Sequence, residues 1–240
     1  MCTVSFVPIG KTDFVLTSNR DEAPGRETLP PAAYITSEST LVYPKDMLAG
    51  GTWIGASDKG RLICLLNGGL AVHERTPPYR ISRGVVVQDF LQAVEIKDTM
   101  QAYDLSNVEP FTIVAVSYNT GLQLIEFVWT GTDRRITQLP ITEKHIWSSS
   151  TLYTEAMKSM RKQWFAADEA KLKTPEDILH FHKTAGTGDA QTDVLMNRSY
   201  VQSVSITQVS RIQEVAQMRY EDLQKGEVHT LVINKVLSEV

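Results

Sequence analysis

The chain has 240 residues, of which 42% are hydrophobic and 22% charged, and its formal net charge is −4. That length supports one well-cored domain over residues 1–240, with the composition of a globular protein. The mild acidity gives no electrostatic footprint for nucleic acid or anionic lipid, and no apolar run approaches the ~20 residues of a transmembrane segment.

Strand signals come first. Residues 2–7 and 13–18 are short β-rich runs separated by Pro8-Ile9-Gly10-Lys11-Thr12, a hairpin-like turn. Asn19-Arg20-Asp21-Glu22 follows the second run. Residues 52–56 and 61–66 flank Ser57-Asp58-Lys59-Gly60 as a second hairpin. A helix is expected from Arg83 to about Val94, with Val86, Val87, Phe90, Leu91 and Val94 at helical spacing. Residues 111–118 and 122–130 enclose Asn119-Thr120-Gly121, the clearest hairpin.

A second helix is expected from Leu152 to about Ala167, with Leu152, Ala156, Met160 and Trp164 as its apolar stripe. Lys158, Arg161 and Lys162 fall outside that stripe, and the basic pairs Arg134-Arg135 and Arg161-Lys162 read as solvated surface. Thr174-Pro175-Glu176-Asp177 is a strong helix start, with Thr as cap and Pro in the first turn. Residues 186–193 are the most loop-like segment and border a pocket in one reading. Strands are expected at 201–209, 217–220 and 229–234. Strands and helices do not interleave in a β-α-β rhythm, so two antiparallel sheets covered by helices fit better than a parallel doubly wound sheet.

The chemistry is sharpest at Cys2. Removal of Met1 leaves one residue carrying both a thiol and a free α-amine. A thiolate is a strong nucleophile, and an α-amine titrates near ~8, close enough to neutrality to act as its base. A short hairpin brings the start of its first strand beside the end of its second, so Cys2 and residues 19–21 are expected to lie close together. Asp21 then either accepts hydrogen bonds from the amine or caps the turn at Ala23-Pro24-Gly25. Adjacent strand residues face opposite ways, so Asn19 shares the face of Asp21 and Arg20 does not.

Asn67 reads either as a turn asparagine before Gly68-Gly69 or as an oxyanion donor. Trp53, in Gly50-Gly51-Thr52-Trp53-Ile54-Gly55, fills the core or lines a pocket. Cys64 sits in an apolar run and reads as a small buried hydrophobe, not a disulfide partner. His180 and His182 are two apart on a helix and make no metal pair; no metal or cofactor motif is present. The N-terminus lacks the basic start and apolar core of a secretory signal, so a cytoplasmic location is expected.

Met1-Cys2-Thr3, Asn19-Arg20-Asp21-Glu22, Gly50 to Gly55 and Leu66-Asn67-Gly68-Gly69 resemble, in that order, the motifs of the NRDE family. That family includes the proteins called transport and Golgi organisation 2. It is similar to the N-terminal-nucleophile amidohydrolases that contain choloylglycine hydrolase and penicillin V acylase. The resemblance implies an α+β fold, a four-layer αββα sandwich of two antiparallel sheets flanked by helices. It implies a cysteine hydrolase of a non-peptide C–N amide bond in a small molecule, with Cys2 as nucleophile, Asp21 at the conserved aspartate and Asn67 as oxyanion donor.

The relatives carry an arginine where this chain has Thr17 and Ser18. Arg20 either replaces it, lowering the thiol pKa or binding a substrate carboxylate, or is structural. Ser149 stands where the relatives have a second asparagine, or belongs to a helix-capping polar run; Arg198 answers to a late arginine. Members of the family are also linked to haem handling and membrane trafficking. The alternative implied is therefore a non-catalytic protein that binds haem or another small molecule.

Overall fold

The computed structural model describes residues 2–238, without the side chains of Cys2 and Lys235. The elements, in order, are β1 (Cys2–Pro8), β2 (Phe14–Glu22), β3 (Thr28–Ile35), β4 (Thr40–Asp46), β5 (Ile54–Ser57), β6 (Arg61–Asn67), α1 (Arg83–Gln92) and α2 (Ile96–Ala102). There follow β7 (Phe111–Ser117), β8 (Gln123–Trp129), β9 (Arg134–Leu139), β10 (His145–Ser148), α3 (Glu155–Ala167) and α4 (Pro175–Thr184). The chain closes with β11 (Gln202–Ile212), β12 (Val215–Asp222), β13 (Glu227–Val232) and α5 (Ile233–Ser238).

Two compact units are formed. The first comprises Met1–Arg26 and Thr142–Val232; the second comprises Glu27–Ile141 and Ile233–Val240. Among the described residues, the sheet of the first unit has the order β10-β1-β2-β11-β12-β13 and that of the second β3-β4-β5-β6-β7-β8-β9. Every described strand pairing is antiparallel.

In the first unit, α3 and α4 cover the sheet face that carries Thr3, Ser5, Val7, Val15, Asn19 and Asp21. Val7 and Val15 pack there with Phe165, Leu172, Ile178, Phe181 and Val194. Phe165 and Phe181 meet edge to face, with ring centroids 5.3 Å apart. Toward the Cys2 end the same face turns polar, because the helices present Arg161 and His182 to it. The opposite face, with Val4, Phe6 and Leu16, is also buried, so β2 reads as a nearly continuous buried run.

The expected hairpins at 57–60 and 119–121 form between their strands, and Thr174 closes a capping box on α4. Other expectations need correction. The second strand does not stop at residue 18 but runs to Glu22, because it pairs with β1 on one side and β11 on the other. Residues 19–21 are thus inside a central strand. The helix expected from Leu152 begins at Glu155, and Thr154, not the serine run, caps it by accepting from the Met157 N–H.

Arg161 is fully buried, not solvated, because the inward face of α3 centres on Arg161 and Phe165; Ala156, expected in the apolar stripe, is exposed. The strand expected at 229–234 ends at Val232, where α5 begins. The strands β3 and β4 were not expected: Pro30-Pro31 masks β3, an edge strand whose register slips between Leu29 and Ala32. The strands β9 and β10 and the helix α2 were also unforeseen; β9 and β10 are edge strands with little buried apolar alternation.

In the second unit, α1 packs on β5 and β6, and Cys64 is fully buried in β6. Gly51 is required there: a Cβ on it would lie 2.8 Å from the backbone carbonyl carbon of Gly84, at the entry to α1.

Candidate active site

The pairing of β1 with β2 sets Cys2 directly opposite Arg20, and Thr3 opposite Asn19. Asp21 follows one step past Arg20, on the side of the peptide nitrogen of Cys2. The thiol expected to act as nucleophile belongs to a side chain outside the described residues. Because β2 is extended, Arg20 and Asp21 point to opposite faces, and both are buried.

Asp21 is fully buried and held by two hydroxyl donors. Ser203 Oγ donates to Oδ1 at 2.6 Å, and Tyr153 Oη donates to Oδ2. Ser203 reaches it because β11 carries a bulge: Ser203 pairs with Asp21 while Ser205 pairs with Arg20, leaving Val204 as the extra residue. The Ser203 oxygen in turn accepts from the Met196 N–H at 3.1 Å. Burial pushes the Asp21 carboxyl above its ordinary range, against Ser203, Tyr153 and Arg161, which all favour the charged form. Burial and the neighbouring Asp21 hold the Tyr153 phenol well above its ordinary value, so it remains a protonated donor.

Asn19 joins a second buried set. Its amide donates to the carbonyl oxygens of His182 at 3.0 Å and Val194 at 3.2 Å. Its Oδ1 can therefore only accept, which assigns the proton to Nδ1 of His182, 2.5 Å away. Nε2 of His182 then accepts from Ser5 Oγ at 2.7 Å. Burial, and next the Arg161 charge, depress the His182 pKa to about 3, so the ring is neutral.

The remaining candidates divide between the units. Ser149, buried, lies just beyond β10; its carbonyl oxygen accepts from the Leu152 and Tyr153 N–H groups. Arg198 donates to the carbonyl oxygens of Gln191 at 2.9 Å and Leu152 at 3.1 Å. Both belong to the first unit with residues 19–21, whereas Trp53 and Asn67 belong to the second. Trp53 is buried. Asn67 closes β6; Gly68 follows with a φ of +86°, and a Cβ on Gly69 would lie 2.8 Å from the Trp129 carbonyl oxygen. No cluster of three or more His, Cys, Asp or Glu able to hold a metal occurs among the described residues.

Sequence motifs mark Asn19, Arg20 and Asp21 but not the side chains that hold them. Tyr153, Arg161, His182 and Ser203 lie 132 to 182 residues from their partners on β1 and β2. The one local signal was Arg161, a cation between the apolar residues Met157, Met160, Trp164 and Phe165.

The family model of Transport and Golgi organisation 2 matches residues 1–231. The chain belongs to that family. No curated protein matches it. Among solved structures, a variant of conjugated bile acid hydrolase from Clostridium perfringens superposes with a TM-score of 0.62 at 10% identity, covering 98% of this chain and 93% of the other. Penicillin V acylase from Agrobacterium tumefaciens gives 0.62 at 10% identity, covering 100% and 89%. The Caenorhabditis elegans orthologue of N-acylethanolamine-hydrolyzing acid amidase gives 0.56 at 9%, covering 86% and 92%. Identities this low carry the fold alone: the family member has the α+β sandwich fold of these hydrolases, with antiparallel sheets and few helices. Among the described residues, no helix is long and apolar enough to cross a membrane.

Proposed function

We propose that this family member is an N-terminal-nucleophile hydrolase that cleaves a non-peptide amide bond of a small molecule. After removal of Met1, the Cys2 amine takes the thiol proton and the sulfur attacks the amide carbonyl carbon. The C–N bond of the tetrahedral adduct breaks, the leaving amine takes the proton, and a thioester remains. Water, deprotonated by the same amine, releases the acid and restores the thiol. Asp21 orients the amine, and the Asn67 side chain donates to the oxyanion. Arg20, Asn19, Trp53, Ser149 and Arg198 take substrate-binding or supporting parts.

One observation carries this reading: the β1–β2 register sets Asp21 one residue past the partner of Cys2, with both carboxylate oxygens already fixed by hydroxyl donors. A carboxylate buried to that degree inside a central strand costs stability unless it has a task or a charged partner. The fold shared with three amide-hydrolase structures supports the reaction class. Turnover of a panel of N-acyl amides by the parent and by Cys2→Ala tests it. Loss of turnover with an unchanged circular dichroism spectrum is expected; equal rates in the two proteins would exclude Cys2 as nucleophile.

A further inference from the structure

Tyr153 has an environment that its packing alone does not require. Its ring lies in an apolar cluster with Met196 and Val201, yet two guanidinium groups stand over it. That of Arg161 is 3.5 Å from the ring centroid and that of Arg198 is 5.7 Å away. Neither arginine is loose. Arg161 donates to Thr3 Oγ1 at 3.0 Å and to the carbonyl oxygens of Thr192 at 3.1 Å and Asp193 at 2.7 Å. Arg198 is tied to Gln191 and Leu152. Both therefore grip the turn at residues 189–193, which Asp189 closes by accepting from the Gln191 N–H at 3.0 Å. Ring, cations and turn are tied together by these bonds, and the phenol reaches Asp21 on β2.

We infer that Tyr153 is a positioning residue for Asp21: clamped by Arg161 and Arg198, its phenol fixes the direction and proton affinity of the carboxylate that orients the Cys2 amine. The last clause rests on the hydrolase reading; the effect on Asp21 itself does not. The phenol has one proton and gives it to Oδ2; Met196 Sδ, 3.2 Å from Oη, is a neighbour, not a second acceptor for the same proton. With Ser203 on Oδ1 and Tyr153 on Oδ2, the carboxylate cannot rotate without breaking a bond. Among the described residues, the charged and titratable groups that act on Asp21 are Tyr153 and Arg161; a processed chain would add the amine of Cys2.

The test reads Asp21 directly. In protein labelled at the aspartate carboxyl carbon, the Asp21 resonance is followed against pH by NMR for the parent and for Tyr153→Phe. Phenylalanine keeps the ring between its neighbours and removes the phenol oxygen with its proton, so Asp21 should bind its proton about tenfold more tightly, the weight of one hydrogen bond to a charged acceptor. Incorporation of 3,5-difluorotyrosine at 153 keeps the shape and strengthens the donor, so the titration should move the opposite way. A purely packing role for Tyr153 leaves both titrations where the parent has them, and that result overturns the inference. Should Tyr153→Phe fail to fold, the fluorinated chain alone decides by the same criterion. Full turnover in Cys2→Ala would overturn the hydrolase reading whatever Asp21 does. No turnover in Cys2→Ala, with an unmoved Asp21 titration, would overturn the role of Tyr153 and leave the nucleophile standing.

Discussion

Stability should fall as the pH drops below about 6.5, and His182 supplies a defined part of that fall. The ring is fully buried between Ser5 and Asn19, and its pKa is lowered from 6.5 to about 3. The sign follows from proton counts: below 6.5 the unfolded chain takes up a proton that the folded chain refuses, so acid favours unfolding. From about pH 8 to about pH 5.5 this linkage removes about 1.4 kcal/mol, and about 2 kcal/mol is lost by about pH 5. Carboxylates add their own pH dependence, so the comparison is with His182→Gln, which keeps a neutral polar side chain. Urea unfolding at the two pH values gives a difference of differences: the parent should lose about 1.4 kcal/mol more than the variant over that interval. Identical pH slopes in the two proteins would mean that His182 takes up its proton equally well in the folded and unfolded chains, and the assignment of its Nε2 as an acceptor from Ser5 would be wrong.

Arg161→Met removes the donor to Thr3 and to the carbonyl oxygens of residues 192 and 193. It should cost about 3 kcal/mol in urea unfolding, and a loss below about 1 kcal/mol would show that these bonds are made equally well by water. Phe181→Ala opens the core under α4 and should cost about 3–5 kcal/mol in the same assay; under about 2 kcal/mol would place the ring outside a tightly packed site. Gly51→Ala should lower stability by about 1–3 kcal/mol, since its Cβ meets the Gly84 backbone at 2.8 Å. A neutral Gly51→Ala would mean that the entry to α1 yields freely. Asp21→Asn should reduce amide turnover, and unchanged kcat/KM would remove Asp21 from the site.

Local signals in the sequence reached the elements whose rules are local. The capping box at Thr174 and the turns at 57–60 and 119–121 follow from residue types at fixed offsets. The end of β2 did not, because what extends it to Glu22 is pairing with β11, nearly two hundred residues later in the chain. Burial of Arg161 is hidden from the sequence for a related reason. A helical cation reads as solvated unless something buried can accept its protons, and those acceptors, Thr3 Oγ1 and the carbonyl oxygens of Thr192 and Asp193, sit on other elements. The site was legible in the same proportion. Asn19 and Asp21 stood in a motif, whereas Tyr153 and His182 become meaningful only once α3 and α4 lie on the sheet.

The most direct measurement combines intact mass with 2-cyanobenzothiazole, a reagent that condenses only with a paired amine and thiol on one terminal cysteine, run beside amide turnover of the same sample. A mass lacking the initiator methionine, stoichiometric condensation and loss of turnover in proportion to labelling are expected. Undiminished turnover by protein that keeps its methionine, or by fully condensed protein, would contradict a hydrolase built on Cys2.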